Sequence, residues 1–471
     1  MKTNCSIFKR CGGCFYSNES YHQQLLDKTN KIKQLVKKNN LKINVHDIQG
    51  SPHETGYRNK VIVAFNQQYQ YGLYEESSHR IVPYDTCLLH EPIMDEILKK
   101  IQRMLKKYRV SIYDEKRQRG FLRHVLIRRA VQTDQTMVVL VCNENMMKGS
   151  KNFCQELVKA FPSIKTIVMN VNKRKTPIVL GQEEKVLYGK GFIVDELCGL
   201  QYKISSKSFY QINHDQCVAL YQKALSLLNV KGNEVAIDTY CGIGTIGMTL
   251  SNQVKQVIGV ELNKDAVKDA KNNARMNKIE NIHFINADAT SFMKDMAKEK
   301  QKVDILIMDP PRSGSTKEFI QATNQLQPKQ VVYISCDPTT QVRDLLMFKK
   351  YGYVTQDMYL YDMFPYTSHV ETVVLLSQQK PDDTIEIDLD LDELYATSAE
   401  LKATYQEIKD YVLKEFGLKV SNLYISQVKR KCGIEVVENY NLPKSENARV
   451  PQCSKEKEEA IKAALKYFTM I

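Results

Sequence analysis

The chain has 471 residues, 43% of them hydrophobic, which is enough for two or three domains with their own cores. Its start carries no apolar run, and no stretch approaches the roughly 20 apolar residues of a membrane helix, so we expect a cytoplasmic protein. Lysine and arginine outnumber aspartate and glutamate by 67 to 54, which favours a polyanionic partner without distinguishing RNA, DNA and a membrane surface. Twelve cysteines without a secretory signal favour thiols, ligands or nucleophiles over disulfides.

The first predicted elements are a cysteine-containing start and a lysine-rich helix from Tyr21 to Asn40. From about Gly56 to Leu200, short β-rich runs alternate with helical stretches, so we assign residues 1–200 to an α+β domain. The basic residues that we expect to bind the polyanionic partner, as RNA-binding residues if that partner is RNA, are Lys28, Lys31, Lys33, Lys37, Lys38, Arg123, Arg128 and Arg129. A solvated helix face explains the lysines equally well.

A different pattern begins after about Lys203, where strand, glycine turn, helix and strand follow one another. Repeated crossovers of this length predict an α/β domain with a doubly wound parallel sheet over residues 201–380. Its predicted strands are the apolar runs 235–238, 257–261, 304–309 and 331–334. Residues 381–471 begin with an acidic run and continue with helical spacing, which predicts a small helical extension that either docks RNA or stabilises the fold.

Three carboxylates follow successive strands of this domain, at the edge where parallel sheets bind ligands. Asp238 leads into a turn in which Gly242 and Gly244 let the backbone approach a ligand closely. Glu261 ends the next strand, where a carboxylate can accept both hydroxyls of a ribose. Asp288 follows the third strand and can accept from an adenine amine, with a helix cap or a solvated loop carboxylate as the alternative. An aspartate ahead of the glycines differs from the nicotinamide fingerprint and resembles class I S-adenosylmethionine methyltransferases.

A candidate nucleophile, Cys336, follows the last of these strands and an Asp-Pro-Pro-Arg segment at 309–312. Many enzymes that methylate amino groups of bases have an aromatic residue after this Pro-Pro, so the arginine disfavours that chemistry. A pyrimidine C5 becomes nucleophilic once a thiolate adds at C6, and a base must later remove the C5 proton. Glu371 opens a later strand and is the candidate base, and we expect a lowered pKa for Cys336. The alternatives are a buried structural cysteine and a carboxylate that caps or pairs at a strand edge.

Six motifs occur in order along the chain, at 56–60, 208–213, 238–244, 309–312, 335–338 and 369–372. This set resembles the 5-methyluridine RNA methyltransferases across residues 1 to about 378. The resemblance implies that Asp309 lies in the cofactor pocket and holds the target uracil, that Cys336 is the nucleophile and that Glu371 accepts the proton. It implies S-adenosylmethionine as the cofactor, contacted by Gln211, Tyr240, Glu261 and Asp288. Simple core packing is the alternative for Tyr240.

A second set of cysteines comprises Cys5, Cys11, Cys14 and the distant Cys87. Their spacing alone suits either zinc or a [4Fe-4S] cluster. The resemblance implies a [4Fe-4S] cluster with a structural or RNA-contacting role, and it implies 23S ribosomal RNA as the substrate. Unliganded thiols are the alternative for the cysteines, and the transfer-RNA T-loop is the alternative substrate.

The resemblance has one departure near the start of the chain. Many members begin with a β-barrel RNA-binding domain of the TRAM type, and we expect none here because the cysteines begin at residue 5. A non-catalytic RNA-binding or ribosome-assembly factor is an alternative function, but it would be expected to lose Cys336 or Glu371, and both are present. Methylation of cytosine C5 or of a protein side chain is a further alternative. No obligate protein partner is implied.

Overall fold

The structure, a computed structural model, describes residues 5–8, 10–16, 18–75, 78, 80–174, 178–378, 405–432 and 453–467. Contacts divide the chain into two compact units, Met1–Thr384 and Ile385–Ile471. The predicted acidic run begins at 382 and lies outside the described residues. No helix within the described ranges is long and apolar enough to cross a membrane.

The first unit begins with helix α1 (Tyr21–Lys38), which is followed by the short strand β1 (Asn44–Val45). A seven-stranded sheet follows, made of β2 (Lys60–Phe65), β3 (Tyr71–Tyr74), β4 (Ile81–Pro83), β5 (Leu122–Ala130), β6 (Gln135–Cys142), β7 (Ile164–Val171) and β8 (Glu183–Gly189). Its strand order is β4-β3-β2-β5-β6-β7-β8, and only the β6–β7 pair is parallel. Helices α2 (Pro92–Lys107) and α3 (Ser150–Ala160) share a hydrophobic core with it, which gives this part an α+β arrangement.

An α/β half follows the antiparallel hairpin of β9 (Phe192–Leu197) and β10 (Leu200–Ser205). Its helices are α4 (His214–Ser226), α5 (Thr245–Leu250), α6 (Lys264–Met276), α7 (Ala289–Lys298), α8 (Lys317–Leu326) and α9 (Pro338–Lys350). Its strands are β11 (Val235–Thr239), β12 (Gln256–Glu261), β13 (Ile282–Asn286), β14 (Ile305–Met308), β15 (Gln330–Ser335), β16 (Tyr353–Val354), β17 (Asp357–Tyr361) and β18 (Glu371–Gln378).

These strands and β1 form one sheet in the order β1-β17-β18-β15-β14-β11-β12-β13, with β16 beside β18. Four adjacent pairs in this sheet are parallel, namely β13–β12, β12–β11, β11–β14 and β14–β15. Strand β18 is antiparallel to both β15 and β17, so the sheet is mixed and the predicted all-parallel sheet is wrong at this strand. The connection from β17 to β18 contains no helix, and a parallel strand needs a longer crossover. The predicted α/β class is confirmed.

The central strands of this sheet are buried on both faces. Every residue of β14 and the run Val331–Ile334 of β15 is 0% exposed, as expected for apolar strands that helices cover on both sides. Helix α1 provides part of that cover, because Ile32 and Val36 pack in the same core as Val331. Strand β1 extends the sheet by pairing in parallel with β17. Residues 21–45, which the sequence assigned to the N-terminal domain, therefore pack on the α/β sheet.

The second unit contains helices α10 (Tyr405–Phe416), α11 (Asn422–Lys431) and α12 (Lys455–Tyr467). They share a hydrophobic core of their own, which includes Ile408, Val412, Ile425, Val428 and Ile461. Ser421 caps α11 by accepting from the backbone N–H of Tyr424. The role of this unit stays a prediction.

Candidate active site

The pairing of β15 with β18 brings the candidate nucleophile and the candidate base together. Ser335 of β15 lies opposite Thr372 of β18, so the next residues along the antiparallel pair, Cys336 and Glu371, are neighbours at the edge of the sheet. The Thr372 hydroxyl holds this register, since its Oγ1 lies 3.2 Å from the Ser335 carbonyl oxygen and 2.7 Å from Gln341 Oε1. The two side chains therefore lie where the carboxyl ends of the parallel strands meet.

Asp309 completes this group, because β14 ends at Met308 beside β15. Burial raises the pKa of Asp309 to about 7. Burial, followed by the charge of Asp309, raises the pKa of the buried Glu371 to about 8, and Arg312 opposes the shift. The site thus holds two carboxyl groups that burial pushes toward their neutral forms.

The pKa of Cys336 is raised to about 11 by burial and then by the charges of Glu371 and Asp309, while Arg312 lowers it. The predicted lowering of this pKa is therefore wrong. The sequence places an arginine near the cysteine. It does not reveal that the negative charges of two carboxylates raise the pKa of the cysteine more than the one cation lowers it. Cys336 is a protonated thiol in the free protein.

Arg312 and His369 stand next to this group. Arg312 is exposed, and its Nη2 lies 3.3 Å from His369 Nε2. The pKa of His369 is lowered by burial and then by the positive charge of Arg312. The histidine is therefore a neutral partner for the guanidinium, which remains available to a polar or anionic ligand.

The glycine turn after β11 forms a second part of the site. Asp238 is fully buried and accepts from the backbone N–H of Gly247 at 2.8 Å, and burial raises its pKa to about 7. Glu261 accepts from the backbone N–H of Gly242 at 3.1 Å, so its carboxylate lies against the turn. Gly242 has φ +55, and a Cβ added there would meet no atom within 4 Å. The turn therefore has open space beside a carboxylate, which suits a ligand with hydroxyl groups.

The other predicted cofactor contacts have more mixed surroundings. Gln211 is 8% exposed and its backbone carbonyl accepts from Asn59 Nδ2 at 2.9 Å. Tyr240 has φ +61 and its ring lies 5.9 Å from that of Phe319, so it also packs in the core. Asp288 is exposed and caps α7 by accepting from the backbone N–H of Ser291. Cofactor binding by these three side chains stays a prediction.

The four cysteines predicted to bind a cluster lie in one neighbourhood. The pKa of Cys14 is raised to about 12 by burial and then by Cys87, with smaller contributions from Cys11 and Cys5. Arg58, which is partly buried, favours the thiolate forms of Cys11, Cys14 and Cys87. Among the residues that the structure describes, no group of three or more potential metal-ligating side chains is arranged to hold a metal ion. The predicted ligand set stays a prediction.

The arginines predicted to clamp phosphates have structural partners instead. Arg123 is buried, and its Nη1 donates to the carbonyl of Asn172 at 2.8 Å. Arg128 is buried, and its Nη1 donates to the carbonyl of Ser208 at 2.7 Å. Arg129 pairs with two carboxylates, those of Glu91 and Asp134. Arg123 and Arg128 are buried and bonded inside the fold, so the hypothesis that they clamp RNA phosphates is wrong, whereas RNA binding by the partly buried Arg129 stays a prediction.

Lys28, the first lysine predicted to bind RNA, is also buried. Its Nζ lies 2.6 Å from Asp362 Oδ1 and 3.2 Å from the carbonyl oxygen of Phe364. Lys28 therefore fixes the loop that leads to Glu371, and its assignment to an RNA-binding face is wrong. Sequence reasoning could not find this pair, because its partners lie 334 positions apart.

Sequence reasoning also missed Phe209, which lies inside a recognised motif two residues before Gln211. Its side chain is 66% exposed, the largest exposed fraction among the described phenylalanine side chains. Most residues of this motif are buried, so an exposed aromatic ring within it indicates a binding role. The sequence does not show that exposure, and only the solvent accessibility of the side chain in the structure reveals it. Such a ring suits stacking against an unpaired base.

The site combines a thiol beside two carboxyl groups with an open glycine turn, and it lies at the carboxyl edge of a mixed α/β sheet. This combination defines a class I S-adenosylmethionine-dependent methyltransferase. The family model described as tRNA (Uracil-5-)-methyltransferase matches residues 20–379. The chain belongs to this family and is an S-adenosylmethionine-dependent RNA uracil-C5 methyltransferase.

Relatives of known sequence and structure agree with this membership. The chain is 36% identical to an RNA methyltransferase of Clostridium tetani over 377 residues, covering 79% of this chain and 82% of the relative. It is 37% identical to one of Staphylococcus aureus over 381 residues, covering 79% of this chain and 83% of the relative. Among solved structures, Pyrococcus abyssi tRNA (uracil-54, C5)-methyltransferase with S-adenosyl-L-homocysteine is similar, at TM-score 0.65 and 28% identity. That match covers 78% of this chain and 86% of the other.

Proposed function

We propose that this enzyme methylates C5 of a uridine in RNA through a covalent intermediate on Cys336. The observation that carries the proposal is the β15–β18 register, which makes Cys336 and Glu371 neighbours, with Asp309 close enough to raise the pKa of both. A thiol and a base on the same edge are what C5 methylation of a pyrimidine requires.

In this mechanism the Cys336 thiol gives its proton to solvent and its sulfur bonds to C6 of the uracil, so that the C5–C6 double bond opens to an enolate with electron density on C5. The methyl group moves from the sulfonium of S-adenosylmethionine to C5, and the donor leaves as S-adenosylhomocysteine. Glu371 then takes the C5 proton, the C6–sulfur bond breaks and the Cys336 thiolate is released. Asp309 holds the uracil, and Arg312 is the cation that favours the thiolate.

The test of the nucleophile compares two cysteine substitutions. Cys336→Ala removes the bonding sulfur, so methylation should fall to background while S-adenosylmethionine binding is unchanged. Cys198→Ser is the matched control, because Cys198 is also partly exposed and lies outside the site. Both variants are assayed for methyl transfer to RNA and for cofactor affinity by calorimetry. Turnover by Cys336→Ala would rule out the covalent route.

We infer that Gln211, Tyr240, Glu261 and Asp288 contact S-adenosylmethionine. Glu261 has the strongest support, since its carboxylate already lies against the glycine turn. Two carboxylate oxygens can accept the two ribose hydroxyls. Glu261→Gln should therefore weaken cofactor binding by about tenfold, the loss expected for a charge-assisted hydrogen bond of about 1.4 kcal/mol. An unchanged Kd would remove Glu261 from the cofactor site.

We propose that Cys5, Cys11, Cys14 and Cys87 hold a [4Fe-4S] cluster. Support comes from the proximity of the thiols, because burial and then the charges of Cys87 and Cys5 raise the pKa of both Cys11 and Cys14, and Arg58 beside them offsets the negative charge of thiolate ligands. A cluster there would stabilise the fold of the cysteine loop, because methyl transfer moves electron pairs and needs no one-electron step.

The cluster is tested on anaerobically purified protein. Wild type should be brown and contain iron and sulfide, and Cys11→Ser with Cys14→Ser should bleach it. The control Cys453→Ser should keep the colour, since Cys453 lies in the second unit. A colourless wild type that contains zinc would overturn the iron–sulfur assignment.

For the substrate we propose 23S ribosomal RNA, on the strength of the cysteine set that resembles the ribosomal branch. The transfer-RNA T-loop is the second candidate, supported by the similarity to the Pyrococcus abyssi enzyme, whose name specifies uracil-54 of tRNA. The two candidates share the site chemistry and differ in the RNA that delivers the uridine.

A further inference from the structure

The cysteine loop is bonded to the loop that ends at Glu371. The backbone N–H groups of Phe15 and Tyr16 both donate to the carbonyl oxygen of Tyr366, at 2.7 and 3.1 Å. The Tyr57 hydroxyl donates to the neighbouring carbonyl of Pro365 at 2.9 Å. Phe15 directly follows Cys14 in the sequence. These bonds hold it beside the segment of chain that leads to the active site.

The side chain of Phe15 points to solvent and is 60% exposed. Among the described phenylalanine and tyrosine side chains of the first unit, only Phe209, at 66%, is more exposed. Both residues adjoin active-site segments, since Phe209 precedes Gln211 and Phe15 bonds to Tyr366. Single exposed apolar side chains are ordinary, but these two exposed rings both adjoin segments of one site.

Phe15 also has a cationic neighbour and a rigid support. The Nζ of Lys31 lies 5.0 Å from the centroid of the Phe15 ring, and the Tyr16 ring meets that ring edge-on at 4.9 Å. Lys31 Nζ also lies 3.4 Å from the Tyr16 hydroxyl. A ring held in this way, with an ammonium beside it, can stack on a base while the lysine approaches the adjoining phosphate.

We propose that Phe15 is a stacking platform for an unpaired RNA base next to the target uridine, with Lys31 contacting the phosphate of that nucleotide. This inference rests on the proposed function and gives the cysteine loop a role in substrate selection. A uridine must leave its stack to reach Cys336, and proteins hold such splayed RNA by stacking the neighbouring bases on aromatic side chains. Specificity then depends on the geometry of the RNA loop.

The test measures RNA binding and turnover for three variants, using 23S ribosomal RNA and transfer-RNA transcripts without modifications. Phe15→Ala should weaken binding to whichever unmodified transcript the wild-type enzyme methylates, by about tenfold. It should raise KM for that transcript by a similar factor, as loss of one base–aromatic stack predicts. Phe15→Tyr should restore both values, because it keeps the ring. Met146→Ala, at a residue that is 66% exposed against 60% for Phe15, should match wild type. S-adenosylmethionine affinity and kcat should not change in any of them.

The outcomes separate this inference from the reaction itself. If wild type methylates a transcript and Phe15→Ala binds it equally well, the stacking role is wrong and the reaction stands. If RNA affinity depends on Phe15 but wild type makes no 5-methyluridine, the proposed reaction is wrong. Weaker binding by Phe15→Tyr as well as by Phe15→Ala would mean that packing of the loop, and not stacking, is what the substitution removes.

Discussion

Cys336 and Glu371 lie side by side, and the pKa of Cys336 is raised by burial and then by the charge of Glu371. The carboxylate of Glu371 is the largest charged contribution that keeps the Cys336 pKa at about 11. A protonated thiol resists alkylation and oxidation until the substrate arrives. The arrangement therefore combines a protected nucleophile with a base that has a pKa of about 8, near the pH at which it must accept a proton.

We predict that Glu371→Gln lowers the pKa of Cys336. The substitution removes a nearby negative charge, so the thiolate forms at lower pH and iodoacetamide should react faster between about pH 7 and 9. The rate is measured as a function of pH by peptide mass spectrometry. Cys198 in the same digest is the internal reference and should keep its rate. An unchanged or slower reaction at Cys336 would show that the two side chains are not coupled.

Glu371→Gln should also trap the reaction after methyl transfer. Without a base the C5 proton stays, the sulfur cannot leave, and a covalent complex of protein and methylated RNA should accumulate. The complex is detected as a band of reduced mobility on a denaturing gel that carries label from the S-adenosylmethionine methyl group. The double variant with Cys336→Ala should form none. Full turnover by Glu371→Gln would assign proton removal to another group.

At the scale of elements, the glycine turn after β11 is the part that the cofactor should cover. Gly242 and Gly352 provide a matched pair, since φ is +55 and +79 and neither has an atom within 4 Å of an added Cβ. Alanine at either position should lower the unfolding free energy by about 1–2 kcal/mol, the cost of a left-handed residue.

Only Gly242→Ala should also weaken S-adenosylmethionine binding, by roughly tenfold, because its methyl group enters the open space beside Glu261. Binding is measured by calorimetry and stability by urea unfolding. Equal cofactor affinity in the two variants would place the ligand elsewhere.

The elements show what local sequence can and cannot predict. The strands at 235–239 and 330–335 were expected within a residue or two, since buried parallel strands appear as continuous apolar runs. The direction of β18 and its pairing with β15 were not expected, because an antiparallel neighbour leaves no local pattern. Lys28 shows the same limit: an amphipathic helix indicates that a face is buried, but not which carboxylate it will meet.

At the scale of the molecule, the two units each have their own hydrophobic core. A chain that ends at Thr384 should therefore keep the S-adenosylmethionine affinity and the first unit's Tm, measured by calorimetry and thermal scanning. A loss of cofactor binding would contradict the independence of the units. RNA affinity of the same variant assigns the role of residues 385–471: a drop indicates RNA docking, and no change indicates a stabilising extension.

The central claim is that Cys336 carries methyl transfer to uridine C5, and nucleoside mass spectrometry tests it most directly. Anaerobically purified protein and its Cys336→Ala variant are incubated with S-adenosylmethionine and with unmodified ribosomal or transfer RNA. Wild type should produce 5-methyluridine in ribosomal RNA, and the variant should produce none. If 5-methyluridine forms in transfer RNA alone, the proposed substrate is wrong and the proposed mechanism stands. Absence of 5-methyluridine in both RNAs, or equal product from Cys336→Ala, would contradict the account.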